Sequence, residues 1–230
     1  MNAVDDDAGD ELRAVGQTLG AGEVYDSNRY TLYGMLTRLG CDVLDMGVVP
    51  DVPQALEQAF VTSAGAADVV ITSGGVSVGE ADYVRDLLGK LGEVLFWKIA
   101  MKPGRPLAYG RIGSAHFFGL PGNPVAVMVT FYNFVRDALL ILQGRANVTQ
   151  PPTFKATLAA TIRKAPGRTE FQRGVLSPGE RGWQVRTTGD QGSGILSSMS
   201  RANCFIVLPA DMGNVDPGTE VDVQWLEGIL

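Results

Sequence analysis

The sequence predicts an α/β domain with a mostly parallel, three-layer sheet, followed by a small all-β barrel domain. Strand-like and helix-like segments alternate as far as Gln143, a pattern typical of βαβ units whose parallel sheet is covered on both faces. Short strand-like segments separated by Gly and Pro turns follow, which is typical of a small barrel. We therefore expect one domain over residues 1–146 and a second over 147–230.

Composition limits the class of protein. The 230 residues are 45% hydrophobic and 19% charged, as in an ordinary soluble globular protein. A net charge of −6 argues against general binding to nucleic acid or to a membrane surface, which needs a basic face. Cys41 and Cys204 are far apart, and His116 is the one histidine, so no zinc site or disulfide framework is indicated. We expect a cytoplasmic protein.

Four segments can be distinguished at the start of the chain. Residues 1–10 are rich in aspartate and contain no strand pattern. Asp26-Ser27-Asn28 can cap a helix that ends at Gly40. A strand pattern covers 42–49, and a second helix begins at Pro53.

The remaining elements follow from the same patterns. A strand over 68–72 leads into a glycine-rich loop, and a helix over 83–91 follows that loop. The rest of the first domain comprises strands over 93–100, 107–111 and 116–119 and an apolar helix over 125–143. The second domain comprises strands over 154–162, 171–176, 183–187, 204–208 and 220–225 and a helix over 195–201.

The loop that begins at Thr72 is the first candidate site. Gly74 and Gly75 permit positive φ and let a ligand approach main-chain amides, and Ser73 and Ser77 offer hydroxyl groups. A tight strand-to-helix connection would also need these glycines. The position after a buried strand favours a ligand site, because ligands of open α/β sheets bind at the carboxyl ends of strands.

Cations form a second candidate. Lys98, Lys102 and Arg105 lie at a strand end and in the turn after it, in a chain with few positive charges. Lysine supplies a point charge and arginine a planar fork, so the group suits a phosphate or a tetrahedral oxyanion. The alternative is a solvated turn, but Pro103 and Pro106 stiffen this segment and favour a shaped site.

Acidic residues form a third candidate. Asp10-Glu11, Asp51 and Asp82 fall where strands end or loops begin, and carboxylates gathered there suit Mg²⁺. Taken singly, each has a simpler interpretation as part of a solvated tail, a turn residue or a helix cap.

The second domain contributes two polar, glycine-rich segments, Gly167-Arg168 with residues 170–173, and residues 189–194. Residues 189–194 precede a predicted helix and could present amides and Ser193 to an anion, although a plain turn is equally consistent. Arg173 lies within a predicted strand, where packing is the simpler interpretation.

Several motifs carry a family resemblance. They are the segment 73–83; Phe96-Trp97-Lys98 with Lys102-Pro103-Gly104-Arg105-Pro106; 119–124; and 188–194 with Ala202-Asn203-Cys204. In this order they resemble the molybdopterin molybdenumtransferases of the MoeA type, which are related to the gephyrin E domain. The resemblance implies a first domain similar to MogA and the insertion of molybdate into adenylylated molybdopterin, with release of AMP and dependence on Mg²⁺.

The resemblance also implies site roles. The catalytic group would be Asp51, Asp82, Lys98 and Lys102, and the Mg²⁺ ligands would be Glu11, Asp51 and Asp82. The residues that bind the pterin and its phosphate would be Gly74, Gly75, Ser77, Arg105, Pro121, Gly122, Asn123, Arg173 and Ser193.

The chain also departs from this family. Members of this family carry two further domains before the matched region, which we expect to be absent here. Ala8 stands in place of a threonine, and Asp5-Asp6-Asp7 stand where an apolar strand is expected. We therefore expect the first strand to be missing. This favours an alternative, a truncated, non-catalytic pterin-binding or subunit-interaction module that forms a homodimer or pairs with a full-length homologue. A third hypothesis, a molybdopterin adenylyltransferase, conflicts with the second domain.

Overall fold

A computed structural model describes residues 2–8, 12–50, 52–74, 81–180 and 182–226. The first domain contains, in chain order, β1 (Asn2–Ala8), β2 (Leu12–Arg13), β3 (Val24–Tyr25), α1 (Ser27–Arg38), β4 (Asp42–Val49), α2 (Pro53–Ala66), β5 (Val69–Ser73), α3 (Ala81–Leu91), β6 (Gly92–Lys98), β7 (Met101–Lys102), β8 (Pro106–Ile112), β9 (Ala115–Leu120), α4 (Pro124–Thr130), a π-helical turn (Phe131–Val135) and α5 (Arg136–Leu142). The second contains β10 (Thr153–Leu158), β11 (Thr169–Gly179), β12 (Gly182–Thr187), α6 (Ser197–Arg201), β13 (Cys204–Leu208) and β14 (Glu220–Trp225).

The first domain is built on a six-stranded sheet in the order β4-β1-β5-β9-β8-β6. β1 pairs in parallel with β4 and β5, and β5 pairs in parallel with β9. The last two pairings, β9 with β8 and β8 with β6, are antiparallel. The parallel part of the sheet therefore brings the carboxyl ends of β5 and β9 to one edge, where their following loops meet.

The expectation that the first strand is missing is wrong. β1 lies between β4 and β5, and Ala3 is completely buried. A central strand forms main-chain hydrogen bonds with a neighbour on each side, and these do not depend on apolar side chains. The pairing of Ala3 with Val69 and of Asp7 with Ser73 extends this strand through the aspartate run.

Helices cover both faces of the sheet and make three layers. On one face, α1 buries Leu32 and Leu36 against the helix that begins at Pro124. On the other face, α2 and α3 bury Phe60 and Leu87 in a separate apolar cluster. The predicted caps hold for α1, because the Asp26 carboxylate accepts a hydrogen bond from the Arg29 amide at 3.2 Å.

The segment Pro124–Leu142 is the one described helix that is long and apolar enough to cross a membrane by length and composition. Half of its most apolar stretch is buried, and Val125, Val127 and Val129 are completely buried. The ring of Tyr132 lies 6.2 Å from that of Phe205 in the second domain. The segment is therefore a core helix that packs against both domains.

The second domain is a closed barrel. Its five strands follow the order β12-β10-β14-β13-β11, and β11 pairs with β12 to close it. The predicted fold class, an α/β domain followed by a small barrel, is confirmed. The short strand β7 comes from the first domain and pairs in parallel with β11. Because of this pairing the barrel is joined to the turn that carries Lys102, while the boundary between residues 146 and 147 stays a prediction.

Candidate functional site

A cleft of about 290 Å³ lies where the α/β domain meets the barrel. Four segments line it: the turn after β6, the loop after β9 with the start of α4, the residue before β11, and the loop before α6. The lining residues are Met101, Lys102, Pro103, Gly104, Arg105, Pro106, Pro121, Gly122, Asn123, Ala126, Arg168, Gln191, Gly192 and Ser193. Both domains therefore build this site.

Three cations face this cleft. Lys102 and Arg105, both predicted site residues, line it with exposed side chains, and the Ile99 amide donates to the Arg105 carbonyl at 3.0 Å to close the turn between them. Arg168, which belongs to the polar segment 167–173 noted in the sequence but was assigned no site role, joins them from the barrel. Lys98 is exposed at the end of β6, in register with Pro106, and is not among the lining residues.

The two glycine loops of the α/β domain touch each other. Gly74 has a φ of 87°, and its amide donates to the Leu120 carbonyl at 3.2 Å. A Cβ added at Gly122 would lie 3.6 Å from the Gly74 Cα. The predicted residues Pro121, Gly122 and Asn123 line the cleft, and Gly75 and Ser77 lie outside the described residues.

Asn28 connects these loops. Its side-chain amide donates at 2.7 Å both to Ser73 Oγ and to the Gly122 carbonyl, and the side chain is buried. Its Oδ1 is buried without a hydrogen-bond partner in the described part of the chain. From the sequence, Asn28 is expected only to cap a helix. One feature of the sequence could have indicated a role at the site. Asn28 begins a predicted helix of an α/β domain, and in such domains helix starts lie close to the strand ends where ligands bind.

Lys102 is held from the barrel side by a carboxylate. Its Nζ lies 3.4 Å from Glu170 Oε1, with 49% of the lysine side chain exposed and Glu170 only 5% exposed. The other carboxylate oxygen, Oε2, accepts a hydrogen bond from Gln172 Nε2 at 2.9 Å. The strand register places Glu170 directly opposite Lys102. Glu170 belongs to the polar segment 167–173 noted in the sequence, but its contact with Lys102 could not be predicted because the two residues are 68 positions apart.

Arg173 lies beneath the loop before α6 and does not line the cleft. The residue is 1% exposed, and its guanidinium donates to Ser198 Oγ at 2.9 Å and to the carbonyls of Gln191 at 3.2 Å and Gly192 at 2.9 Å. Burial lowers the pKa of this guanidinium, and the charge of Asp190 acts in the opposite direction. The geometry makes Arg173 a support for the loop.

That loop docks on the first domain. The carbonyl of Ser193, a predicted site residue, accepts a hydrogen bond from the Val125 amide at 3.1 Å, at the start of α4. A Cβ added at Gly194 would lie 3.6 Å from Asn123 Oδ1. Ser193 and Asn123 therefore lie on facing sides of the same junction.

The predicted Mg²⁺ ligands cannot be placed. Glu11 and Asp51 lie outside the described residues, and Asp82 is in the first turn of α3 with its side chain outside them. In the part of the chain that the structure describes, no group of three or more His, Cys, Asp and Glu side chains could hold a metal ion. The metal site stays a prediction.

The cleft contains cations, amides and hydroxyl groups, but none of its lining residues is a histidine or a cysteine. The His116 ring instead bonds to Tyr109 Oη at 2.9 Å, and burial, with a smaller effect from Arg111, lowers its pKa. Burial raises the pKa of the Cys204 thiol to about 12. The described site therefore suits the binding of an anion and the stabilisation of charge rather than catalysis by a Ser-His or Cys-His pair.

Two family profiles match the chain. The family described as "probable molybdopterin binding domain" matches residues 9–140, and the "MoeA C-terminal region (domain IV)" matches residues 155–226. The chain belongs to the MoeA-type molybdopterin-binding family. The family suggested by the sequence motifs is thereby confirmed.

Relatives in the MoeA family cover nearly the whole chain. The molybdopterin molybdenumtransferase of Haemophilus influenzae is 47% identical over 223 residues, which are 96% of this chain and 55% of that protein. The molybdopterin molybdenumtransferase of a Nostoc species is 33% identical, covering 95% of this chain and 51% of its own length. A molybdopterin biosynthesis MoeA protein from Pyrococcus horikoshii superposes with a TM-score of 0.82 at 29% identity, covering 99% of this chain and 55% of that chain. The chain thus spans about half the length of these relatives.

Proposed function

We propose that this chain acts in molybdenum cofactor biosynthesis by inserting molybdate into adenylylated molybdopterin, with release of AMP. The observation that carries this proposal is the group of Lys102, Arg105 and Arg168 in one cleft of a chain whose net charge is −6. A cationic cleft on an acidic protein favours anionic ligands by local charge. Molybdate and the phosphate groups of adenylylated molybdopterin are such anions. The name of the relatives, molybdopterin molybdenumtransferase, supports these ligands over other anions.

The chemistry of the cleft supports this reaction class. Lys102 offers a point charge, while Arg105 and Arg168 offer planar forks that can bond two oxygens at once. Cations held around an oxyanion stabilise the charge that develops when a phosphate bond to AMP breaks. The cleft of about 290 Å³ is close to the lower end of small-molecule sites, roughly 300–1,000 Å³. This volume suits the oxyanion and phosphate end of the substrate.

The remaining assignments are part of the proposal. Gly74, Gly75 and Ser77 would form the pterin loop, and Lys98 would contribute a further positive charge towards the substrate. The Mg²⁺ requirement rests on the resemblance alone, with Glu11, Asp51 and Asp82 as the expected ligands. A cytoplasmic location and a homodimer are proposed on the same basis.

A non-catalytic pterin-binding or interaction module is the weaker candidate. A missing first strand would favour this module, but β1 is present between β4 and β5. An assay for turnover separates the two functions.

The test is AMP release by the purified chain incubated with adenylylated molybdopterin, molybdate and Mg²⁺, measured by chromatography. We expect release above the rate without protein, loss of release with a chelator, and at least about a tenfold reduction in Arg168→Ala, as for loss of a charge-assisted contact. Arg163→Ala is the matched control, an exposed barrel arginine outside the cleft residues. Binding of the pterin without any AMP release would instead support the non-catalytic module.

A further inference from the structure

The buried carboxylate of Glu170 has a partner on each oxygen. Oε1 lies 3.4 Å from Lys102 Nζ, and Oε2 accepts from Gln172 Nε2 at 2.9 Å. All three residues lie on two adjacent parallel strands, β7 and β11. The carboxylate is therefore fixed in position before any ligand enters the cleft.

Burial of this carboxylate costs hydration free energy, which other interactions must offset. A charged group that loses water is stabilised only if its hydrogen-bonding capacity is filled and an opposite charge is close. Gln172 fills one side, and Lys102 supplies the charge. The lysine is half exposed, with its side chain reaching from the barrel junction to the cleft. The Glu170 carboxylate therefore contacts the Lys102 ammonium from the protein interior, and the opposite side of the ammonium faces the cleft.

A lysine needs such a contact more than an arginine does. Its ammonium is carried on a flexible stem of four carbons, and its three donors have no fixed plane. The register of β7 on β11 fixes the backbone of Lys102 but leaves the stem free. An ion pair on the buried side selects the side-chain conformations that keep the ammonium at the cleft wall. Two of its three donors remain for a ligand oxygen.

We propose that Glu170 is a positioning residue that holds the Lys102 ammonium in the cleft for the anionic substrate, and that Gln172 orients Glu170. This inference rests on the proposed function, because it assigns Lys102 to the anion. It adds a dependence on the barrel: the α/β domain carries the lysine, and the barrel sets where its charge lies. The barrel thus takes part in anion binding through two residues that do not line the cleft.

The experiment is a double-mutant cycle on the full chain with Lys102→Ala, Glu170→Gln and the double variant. Adenylylated molybdopterin and molybdate are titrated separately to obtain Kd, and AMP release gives KM and kcat. We expect Glu170→Gln to weaken binding of one of the two ligands about tenfold and to raise KM more than it lowers kcat. In the Lys102→Ala background the same substitution should change Kd by less than about twofold. Glu170→Asp should recover part of the affinity, and Glu180→Gln, an exposed carboxylate on the barrel, should behave as wild type.

The outcomes separate this inference from the proposed function. If Lys102→Ala weakens binding and Glu170→Gln does not, the positioning role is wrong and the function stands. If Glu170→Gln weakens binding equally with and without Lys102, its role is structural and the inference is overturned. If the wild-type chain binds neither ligand, both fail. Thermal unfolding of every variant identifies any loss of fold, and a Glu170→Gln chain that does not fold is replaced in the cycle by Gln172→Ala.

Discussion

The side-chain amide of Asn28 donates a hydrogen bond of 2.7 Å to the carbonyl of Gly122, joining the start of α1 to the loop after β9. The same amide group donates to Ser73 Oγ at the end of β5. One buried side chain therefore holds together the carboxyl ends of two strands. The cleft takes part of its shape from this contact, because Gly122 lines it.

Asn28→Ala should destabilise the protein and impair the cleft. The substitution leaves the buried Ser73 hydroxyl and the partly buried Gly122 carbonyl without their donor, which costs about 1–3 kcal/mol in the free energy of unfolding. Denaturant titration measures this cost, and the Kd of adenylylated molybdopterin measures the effect on the cleft. Asn147→Ala, at an exposed position, is the control. Equal unfolding free energies for Asn28→Ala and Asn147→Ala would contradict the role given to this amide.

Gly104→Ala should be destabilising for two separate reasons. Gly104 has a φ of 101°, and a Cβ there would lie 2.5 Å from Thr130 Cγ2. We expect a loss of about 2–4 kcal/mol, the sum of backbone strain and overpacking. Gly16→Ala is the matched control, because its φ is 98° and no atom lies within 4 Å of the added Cβ. This control measures the backbone strain alone. If its loss in the free energy of unfolding, measured by denaturant titration, equals that of Gly104→Ala, the contact with Thr130 adds no cost.

Arg173→Ala should release the loop before α6. The substitution removes the donors to the carbonyls of Gln191 and Gly192 and to Ser198. The expected loss is about 2–4 kcal/mol in the free energy of unfolding, together with weaker ligand binding, because Gln191 and Gly192 line the cleft. Hydrogen exchange of the loop amides gives a local readout. Arg186→Ala, on an exposed part of β12, should change neither quantity.

Cys204 should make the protein sensitive to alkali. Burial raises the pKa of its thiol from 9.0 to about 12, so the folded chain keeps this proton where the unfolded chain has lost it. The contribution of the thiol to stability is complete below pH 9.0 and is lost progressively as pH rises towards about 12. Denaturant titrations between pH 7 and pH 11 would measure the decline. Cys204→Ala, although less stable overall, should show a smaller decline, and an unchanged slope would refute this assignment.

Local patterns in the sequence were sufficient for most of the fold. Three features depend only on neighbours in the chain and can therefore be predicted from the sequence: the cap at Asp26, Pro53 at the start of α2, and the alternation of short apolar runs with helices. Lys102 and Arg105 could be selected in the same way, because they share one stiff turn in an acidic chain. Their role as ligand contacts stays a prediction.

Tertiary structure decided the features that depend on distant partners. The aspartate run at 5–7 opposes a strand locally, yet β1 forms because β4 and β5 pair with it on both sides. Glu170 lies in a polar segment of the sequence, but its place opposite Lys102 depends on β7, which lies in the other domain. Strand propensity and charge are properties of a segment, whereas pairing and burial are properties of the folded chain. The sequence by itself therefore determined the order of elements and the cationic turn, and only the fold decided which buried groups hold that turn in place.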